Sequence, residues 1–247
     1  MRGVAVLIDL RVHTRHTTES SVDPREAVAA AQALGIDGLA FADVDTIAGR
    51  DEILGLRSKV PIALFFGVEI ATDHGHLLCF FPDPEATPEP ESLLGPRREA
   101  GWPVRDALKA LRDAGAAVVA TRPYDRRIDR PMGDVLFTLE GLSAVEALAG
   151  GLPDATNELA IHAAAHLDLP CVGGSGARRT EEVGLALTVF RDRVAGQRSL
   201  VEALRAGNVW AAWAGEPPDF PGDHQPPRKA ERRERGGGRR RRGGGRR

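Results

Sequence analysis

Three side chains near the N-terminus have types and a spacing that could hold a metal ion or an anion. Asp9, Arg11 and His13 alternate along "IDLRVHT", at the end of an apolar run. In a β-strand, alternate side chains point to the same face, so we expect the three to converge. Asp-x-His-x-His would be a metal-binding motif here, but arginine keeps its proton and cannot ligate a metal. The stretch therefore indicates a reduced metal site or a site built on arginine.

Short apolar strands that alternate with helices must position these residues. Strands are predicted at 4–10, 38–43, 61–67, 75–81, 116–121, 143–148, 170–175, 184–190 and 208–213, and helices at 23–35, 103–114, 154–167 and 199–207. The Pro-rich segment 82–101 is predicted to be a loop. This alternation favours an α/β sheet or barrel covered by helices, in which functional residues collect at the carboxyl ends of the strands.

The charge distribution divides the chain into a folded domain, a linker and a tail. Residues 228–247 hold eleven basic and two acidic residues, which leaves 22 basic and 33 acidic residues for the rest, so the two balances are +9 and −11. Residues 215–227 are Pro-rich. We predict a folded domain over 1–214, a linker over 215–227 and a disordered Arg/Gly-rich basic tail over 228–247.

Cysteine content and hydropathy bear on the compartment. Cys79 and Cys171 are the two cysteines and lie far apart, which argues against a disulfide framework. No apolar run approaches the length of a membrane span, so no membrane association is predicted. A cytoplasmic location is the expectation for such a chain.

The residues at the predicted strand ends, taken in order, resemble the PHP superfamily, named for its polymerase and histidinol phosphatase domains. The resemblance covers roughly 1–213 and includes "IDLRVHT", "ADVDT" at 42–46, "GVEI" at 67–70, His76, "TRPY" at 121–124, "VEAL" at 145–148 and "GGSGAR" at 173–178. It implies an irregular, TIM-like (β/α)7 barrel. It also implies a phosphoesterase activity that uses a cluster of two or three metal ions.

Several metal-ligand positions of that family hold other residues in this sequence. The positions that match are Asp9, His13, Glu69 and His76, and those that do not are Arg11, Val44, Arg122, Gly176 and Arg178. The resemblance therefore implies a degenerate member, and we expect no metal cluster and no cofactor. The alternative is one weakly bound zinc or manganese ion on His13, Glu69 and His76, since two histidines and one carboxylate form a known ligand set.

Arginine stands at three of the altered positions, and two interpretations follow. Arg11, Arg122 and Arg178 could face one pocket and bind the phosphate group of a small molecule, for which the guanidinium fork is suited. Alternatively, these arginines only form ion pairs with buried carboxylates, for which the sequence offers Asp9, Asp43, Asp45 and Glu69.

The basic tail predicts a second kind of contact. Its candidate nucleic-acid contacts are Arg239, Arg240, Arg241, Arg242, Arg246 and Arg247. Arginine clusters between glycines suit electrostatic binding to RNA or another polyanion, and the lack of aromatic residues argues against base stacking. The alternatives are a solubilising extension or a tail that folds back on the acidic domain.

Together these residues predict a non-hydrolysing binding or regulatory relative of metal-dependent phosphoesterases, with a tail that can contact RNA. The alternative is an active phosphatase or phosphodiesterase with a reduced metal site. Whether the chain is an enzyme stays open at this point.

Overall fold

The structure is a computed structural model, and it describes residues 5–214. The predicted linker at 215–227 and tail at 228–247 lie outside the described residues. Within them, the elements are β1 (Val6–Val12), α1 (Pro24–Ala33), β2 (Gly38–Val44), α2 (Arg50–Leu56), β3 (Ala63–Ala71), β4 (His76–Phe80), α3 (Pro90–Leu94), α4 (Val104–Asp113), β5 (Ala117–Thr121), β6 (Ala144–Ala149), α5 (Asp154–Leu167), β7 (Cys171–Gly174), β8 (Ala186–Phe190), α6 (Gln197–Ala206) and β9 (Val209–Trp213).

The strands form one mixed sheet that curls into a nearly closed barrel, which confirms the predicted fold class. Its order is β7-β6-β5-β4-β3-β2-β1-β8-β9. Neighbours are parallel from β1 to β3 and from β5 to β7, whereas β4, β8 and β9 run antiparallel to their neighbours. The described sheet thus holds the nine strands predicted from the apolar runs, two more than the seven that the family resemblance implies.

A threonine connects the edge strand β7 to β8, the second strand from the other end of the sheet. The Thr188 hydroxyl of β8 donates to the carbonyl of Gly173 in β7 at 2.8 Å and accepts from its amide at 2.9 Å. These side-chain bonds stand where a closed barrel would have ladder hydrogen bonds. The buried hydroxyl thus satisfies backbone groups that closure leaves unpaired.

Two apolar clusters lie on the two faces of the sheet. The inner cluster is built from strand residues around the sheet and from α6, namely Ile8, Leu10, Ala40, Phe65, Leu78, Phe80, Val119, Ala144, Val172, Leu200, Val201 and Leu204. The outer cluster joins the opposite faces of the strands to α1, α4 and α5. Arg205 of α6 donates to the carbonyl of Ala116, just before β5, so α6 lies where that strand begins. The strand ends that carry the candidate site lie at the end of the barrel opposite to α6.

Local sequence explains where most helices start and stop. Asp23 accepts a hydrogen bond from the amide of Arg25 at 2.8 Å, and Pro24 opens α1, as the sequence predicts. The prediction of a loop over 82–101 is wrong at Pro90–Leu94, a five-residue helix that proline opens and Gly95 ends at φ +76°. The α2 helix was also missed, because Gly49 precedes it without a side-chain cap. Among residues 5–214, no helix is long and apolar enough to cross a bilayer.

Candidate anion-binding site

Strand ends bring most of the predicted site residues together. Arg11 and His13 lie at the end of β1, and Glu69 lies near the end of β3. His76 opens β4, where it pairs with the last residues of β3 and β5. Arg122 directly follows β5. The site thus lies at the carboxyl end of the barrel, as the alternation of strands and helices predicts.

Arg11 forms a buried, two-bond ion pair with Glu146 of β6. Its Nε lies 2.7 Å from Oε1 and its Nη2 lies 3.1 Å from Oε2, and both side chains are 2% exposed. This is the bidentate geometry in which a guanidinium binds a carboxylate most specifically. Burial would lower the pKa of Arg11, but Glu146 and Glu69 raise it above its usual value. Arg11 is therefore a permanent cation inside the barrel.

Glu69 is the shared acceptor of the remaining site residues. Its Oε1 accepts from His76 Nδ1 at 2.6 Å and from Arg122 Nη2 at 3.2 Å. Its Oε2 has no hydrogen-bond partner among the described residues, although Arg11 Nη1 lies 3.7 Å away. Burial would raise the pKa of Glu69, but Arg11 and Arg122 hold it well below its usual value. The carboxylate stays ionised because two guanidiniums face it.

His13 is buried in its neutral form. Its Nδ1 donates to the carbonyl of Ala42 at 2.8 Å, which leaves the Nε2 lone pair facing Glu69 Oε2 at 3.6 Å and Arg11 Nη1 at 3.4 Å. Burial lowers the pKa of His13 to about 3 despite the nearby Glu69 carboxylate. The Ala42 carbonyl and the Arg11 guanidinium thus contact the two ring nitrogens of His13.

These residues do not fit a metal cluster. The His13 nitrogen and the free Glu69 oxygen could both ligate an ion, but the Arg11 guanidinium lies within 3.7 Å of each. His76 Nδ1 is already bonded to Glu69. Among residues 5–214, no group of three or more His, Cys, Asp or Glu side chains is arranged to hold a metal. A fixed cation beside the donors would repel a divalent ion strongly in a poorly solvated site.

Asp9 does not join the cluster, which corrects the expectation that it would converge with Arg11 and His13. Its Oδ1 accepts from the amides of Arg11 at 3.2 Å and Ser175 at 2.9 Å, and its Oδ2 accepts from the amide of Gly184 at 2.9 Å. The register of β1 shifts between Asp9 and Val12, and this irregularity breaks the alternation on which the prediction relied. Burial raises the pKa of Asp9 against these hydrogen bonds. Asp9 therefore ties the end of β1 to the loops around β7.

The interpretation that buried carboxylates pair with the three arginines holds for Glu69 alone among the four acids considered. Asp43 accepts from the amide and hydroxyl of Thr14 and from the hydroxyl of Thr17, each at 2.7 Å. Asp45 accepts from the amide of Ala71 and from Arg97, at 2.8 and 3.0 Å. Arg11 instead uses Glu146, which the sequence analysis did not single out.

Arg122 has a strained backbone that Glu146 also holds. Its φ is +34°, an uncommon value for a residue with a side chain. Its amide donates to Glu146 Oε2 at 3.0 Å, so the same carboxylate binds Arg11 and fixes the turn after β5. The Nε of Arg122 is buried without a hydrogen-bond partner among the described residues. A buried guanidinium donor without an acceptor indicates a place for an anion or water.

The three arginines line one cavity of about 550 Å³, as one of the two sequence interpretations predicts. The charged residues around it are Arg11, Arg122, Arg127, Arg178, Arg179, Glu19, Asp125 and Glu182. Most of these arginines have a carboxylate partner: Arg127 binds Asp125, and Arg179 binds Glu182.

Arg178 is the one arginine of the cavity that forms no ion pair within the described residues, although Glu69 and Glu19 lie near enough to favour its charge. Its Nη1 donates to the carbonyl of Thr18, and within residues 5–214 it has no ion pair. Burial and the neighbouring Arg122 lower the pKa of Arg178. A group whose charge is disfavoured by burial and by a like charge gains most from an added anion.

Gly176 and Arg11 fit each other closely. Gly176 has φ +64°, and a Cβ there would lie 2.6 Å from both Nη1 and Nη2 of Arg11. The guanidinium thus fills the space of a side chain at position 176. The family resemblance implies an aspartate at position 176 and a histidine at position 11. In this chain the Arg11 guanidinium fills the space that a side chain at position 176 would need.

The sequence analysis placed "VEAL" among the functional strand ends but gave Glu146 no role, although a signal for one exists. Glu146 is the one charged residue in "AVEALA", a strand that is otherwise apolar and buried. A lone carboxylate in a buried strand requires a charged or hydrogen-bonding partner. That requirement points to a nearby arginine, but the sequence alone does not show which one.

Comparisons with known proteins agree with this fold. Residues 154–209, from α5 to the start of β9, match the family model described as PHP-associated. An uncharacterized protein of Methanocaldococcus jannaschii is 26% identical over 148 residues, which cover 56% of this chain and 78% of that protein.

Three solved structures are similar in fold. PsfC from Pseudomonas syringae superposes with a TM-score of 0.65 at 18% identity, over 85% of this chain and 92% of its own. A candidate metal-dependent phosphoesterase from Bifidobacterium adolescentis gives 0.58 at 20% identity, over 81% and 96%. An amidohydrolase from Chromobacterium violaceum, with bound sulfate and no metal, gives 0.59 at 16% identity, over 85% and 98%. At these identities the likeness concerns the fold.

Proposed function

We propose that this chain, which matches the PHP-associated model at residues 154–209, is a non-hydrolysing member of the PHP superfamily that binds a phosphate-bearing small molecule. The observation that carries the proposal is the cavity in which Arg122 and Arg178 face the same space. Arginine is suited to phosphate because its planar donors match the oxygens of the anion.

The pattern of ion pairs around the cavity supports an anionic ligand, because one arginine has no carboxylate partner within the described residues. Arg11, Arg127 and Arg179 each have a carboxylate partner, whereas Arg178 has none within residues 5–214. Arg122 shares Glu69 with His76 and keeps a buried Nε without an acceptor. A ligand anion between Arg122 and Arg178 would give Arg178 the anionic partner that it lacks among the described residues.

The metal-free sulfate complex of the Chromobacterium violaceum amidohydrolase shows that a protein of this fold can be obtained with an anion and without a metal. Sulfate and phosphate are both tetrahedral oxyanions. In the present chain we propose that guanidinium groups, rather than metal ions, attract the anion. Guanidinium groups do not activate water as a metal does. The cavity therefore suits binding rather than hydrolysis.

A thermal-shift titration tests the proposal. Inorganic phosphate is added to the full chain, and the melting temperature should rise with concentration because the ligand binds the folded state. The Arg122→Ala variant should lose most of that rise. The matched control is Arg198→Ala on α6, which removes an exposed arginine outside the cavity and should keep the rise.

The predicted basic tail is present in all three proteins, so phosphate held by the tail cannot produce a difference between them. No rise in the wild-type protein, or an equal rise in Arg122→Ala, would contradict the proposal.

A metal-dependent phosphoesterase with one ion is the second candidate, and one observation favours it. The buried Glu69 Oε2 has no hydrogen-bond partner in the described part of the chain, and it lies 3.6 Å from the Nε2 of His13. A backbone carbonyl fixes the tautomer of His13, as is usual for metal-ligating histidines. The Arg11 guanidinium beside both atoms argues against this candidate.

Metal analysis and assays separate the two candidates. Zinc and manganese would be measured in the purified chain, together with phosphomonoesterase and phosphodiesterase activity after the addition of each ion. Stoichiometric metal with turnover that is lost in Glu69→Gln would establish the enzyme. Substoichiometric metal without turnover is the result that the binding proposal expects.

A further inference from the structure

We infer that Glu146 is a specificity-determining residue of the anion site, because it holds Arg11 and restricts the cavity to ligands with a single anionic group. This inference rests on the proposed function, since it describes which anions the same cavity accepts. It assigns a role to a residue of "VEAL" to which the sequence analysis gave none.

The first step is that Arg11 has no free donor edge for a ligand. Its Nε and Nη2 bind Glu146 at 2.7 and 3.1 Å. Its Nη1 lies 3.4 Å from His13 Nε2 and 3.7 Å from Glu69 Oε2. All three nitrogens of Arg11 therefore face groups of the protein, and its side chain is 2% exposed. A bidentate contact with a ligand would require the Glu146 carboxylate to leave.

The second step concerns the donors that remain. Arg122 has a buried Nε without a partner in the described chain, and its side chain is 13% exposed. Arg178 donates to the Thr18 carbonyl through Nη1 and has no carboxylate within ion-pair distance among residues 5–214. These are the two guanidiniums nearest to a ligand in the cavity, and Arg122 is shared with Glu69 at 3.2 Å and with Asp125 at 3.7 Å. This suits one phosphate group, since the other two arginines of the cavity, Arg127 and Arg179, bind Asp125 and Glu182.

The third step is that Glu146 acts on both sides of the site. The same Oε2 that binds Arg11 accepts from the amide of Arg122 at 3.0 Å. Glu146 thus keeps Arg11 occupied and fixes the backbone of Arg122 at φ +34°. Its negative charge also repels any anion that approaches Arg11. Removing the charge while keeping an acceptor for the Arg122 amide would release Arg11 towards the cavity.

Glu146→Gln makes that change, since the amide oxygen of glutamine can still accept from the Arg122 amide. Dissociation constants for inorganic phosphate and pyrophosphate would be measured by calorimetry on the full chain and on the variant. The wild-type protein should bind the two anions within about threefold of each other. The variant should gain about tenfold for pyrophosphate relative to phosphate, as one added charge-assisted contact permits.

The double variant Arg11→Met/Glu146→Gln is the matched control. It removes both charges of the buried pair and should return the ratio of the two affinities to the wild-type value. It also keeps the inference testable if Glu146→Gln does not fold, because paired removal of a buried ion pair is tolerated better than removal of one partner. Loss of phosphate binding in the double variant would mean that Arg11 is itself a ligand contact, against the inference.

The outcomes distinguish this inference from the proposed function. A folded Glu146→Gln with an unchanged ratio overturns the role of Glu146, and phosphate binding by the wild-type chain still stands. A wild-type preference of about tenfold or more for pyrophosphate also overturns it. Binding of neither anion to the wild-type chain overturns the proposed function and the inference together.

Discussion

The guanidinium of Arg11 occupies the space that any side chain at Gly176 would need. A Cβ at position 176 would lie 2.6 Å from both terminal nitrogens of Arg11, closer than a Cβ carbon approaches a non-bonded atom. Arg11 itself cannot retreat, because Glu146 binds it through two hydrogen bonds. Glycine at 176 and arginine at 11 are therefore a matched pair.

This pair predicts that Gly176→Ala lowers the free energy of unfolding by about 3 kcal/mol, from backbone strain and the clash with Arg11. Gly35→Ala is the control, since Gly35 has φ +72° but no atom within 4 Å of its Cβ position. It should cost only about 1 kcal/mol, the penalty of the left-handed backbone. Urea unfolding measures both. Equal losses in the two variants would mean that Arg11 moves aside without cost.

The buried ion pair predicts a large effect of removing one partner. Arg11→Met leaves Glu146 and Glu69 as buried carboxylates facing one guanidinium fewer, and it should destabilise the fold by about 3–5 kcal/mol. Arg11→Met/Glu146→Gln should recover at least half of that loss. Chemical denaturation of the wild type and both variants checks this. A double variant as unstable as the single variant would show that Arg11 stabilises the barrel through packing rather than charge.

The pKa of His13 predicts how stability depends on pH. Burial lowers that pKa to about 3, so the folded state binds fewer protons than the unfolded state below the usual value near 6.5. Stability is therefore complete above about pH 6.5 and falls on acidification, by up to about 1.4 kcal/mol per pH unit from this group.

Unfolding free energies measured from pH 7 to pH 4 test that dependence. His13→Asn keeps a donor for the Ala42 carbonyl and should flatten the curve between pH 6.5 and 4 by the amount that His13 contributes. His162→Asn, on the exposed face of α5, should leave the curve unchanged. A His13→Asn curve parallel to the wild-type curve would contradict a neutral, buried His13.

The predicted tail, which lies outside the described residues, has its own test. A gel shift with RNA would compare the full chain with a variant in which Arg239, Arg240, Arg241 and Arg242 are glutamine, at two salt concentrations. The wild-type chain should bind RNA, and its affinity should fall steeply as the salt concentration rises, because binding releases counterions from the phosphates. The variant should bind less and depend less on salt. Equal binding by both would exclude the four-arginine run as the contact.

The fold was predictable from the sequence because apolar runs, capping residues and glycines agree with one another along most of the chain. Asp23 and Pro24 start α1 as predicted, and nine apolar runs become nine strands in the described residues. The failures have local causes. The α2 helix begins without a capping side chain, and the Pro90–Leu94 helix is a single short turn inside a Pro-rich segment.

The site was predictable only in part. The alternation of Asp9, Arg11 and His13 suggested one cluster, but a register shift in β1 sends Asp9 to three backbone amides. Which carboxylate meets which arginine depends on contacts between residues far apart in sequence, such as Arg11 and Glu146. Residue types predict that buried charges are paired, and the three-dimensional arrangement decides the partners.

The Arg11–Glu146 pair also orders the routes by which this sequence could regain a metal site. Histidine at position 11 alone would leave Glu146 buried without its cation, and aspartate at position 176 alone would collide with the guanidinium. Each of these single substitutions destabilises the fold, and position 11 must change before position 176 can accept a side chain. Packing and charge thus set the order in which these two positions can change, independently of any selection on activity.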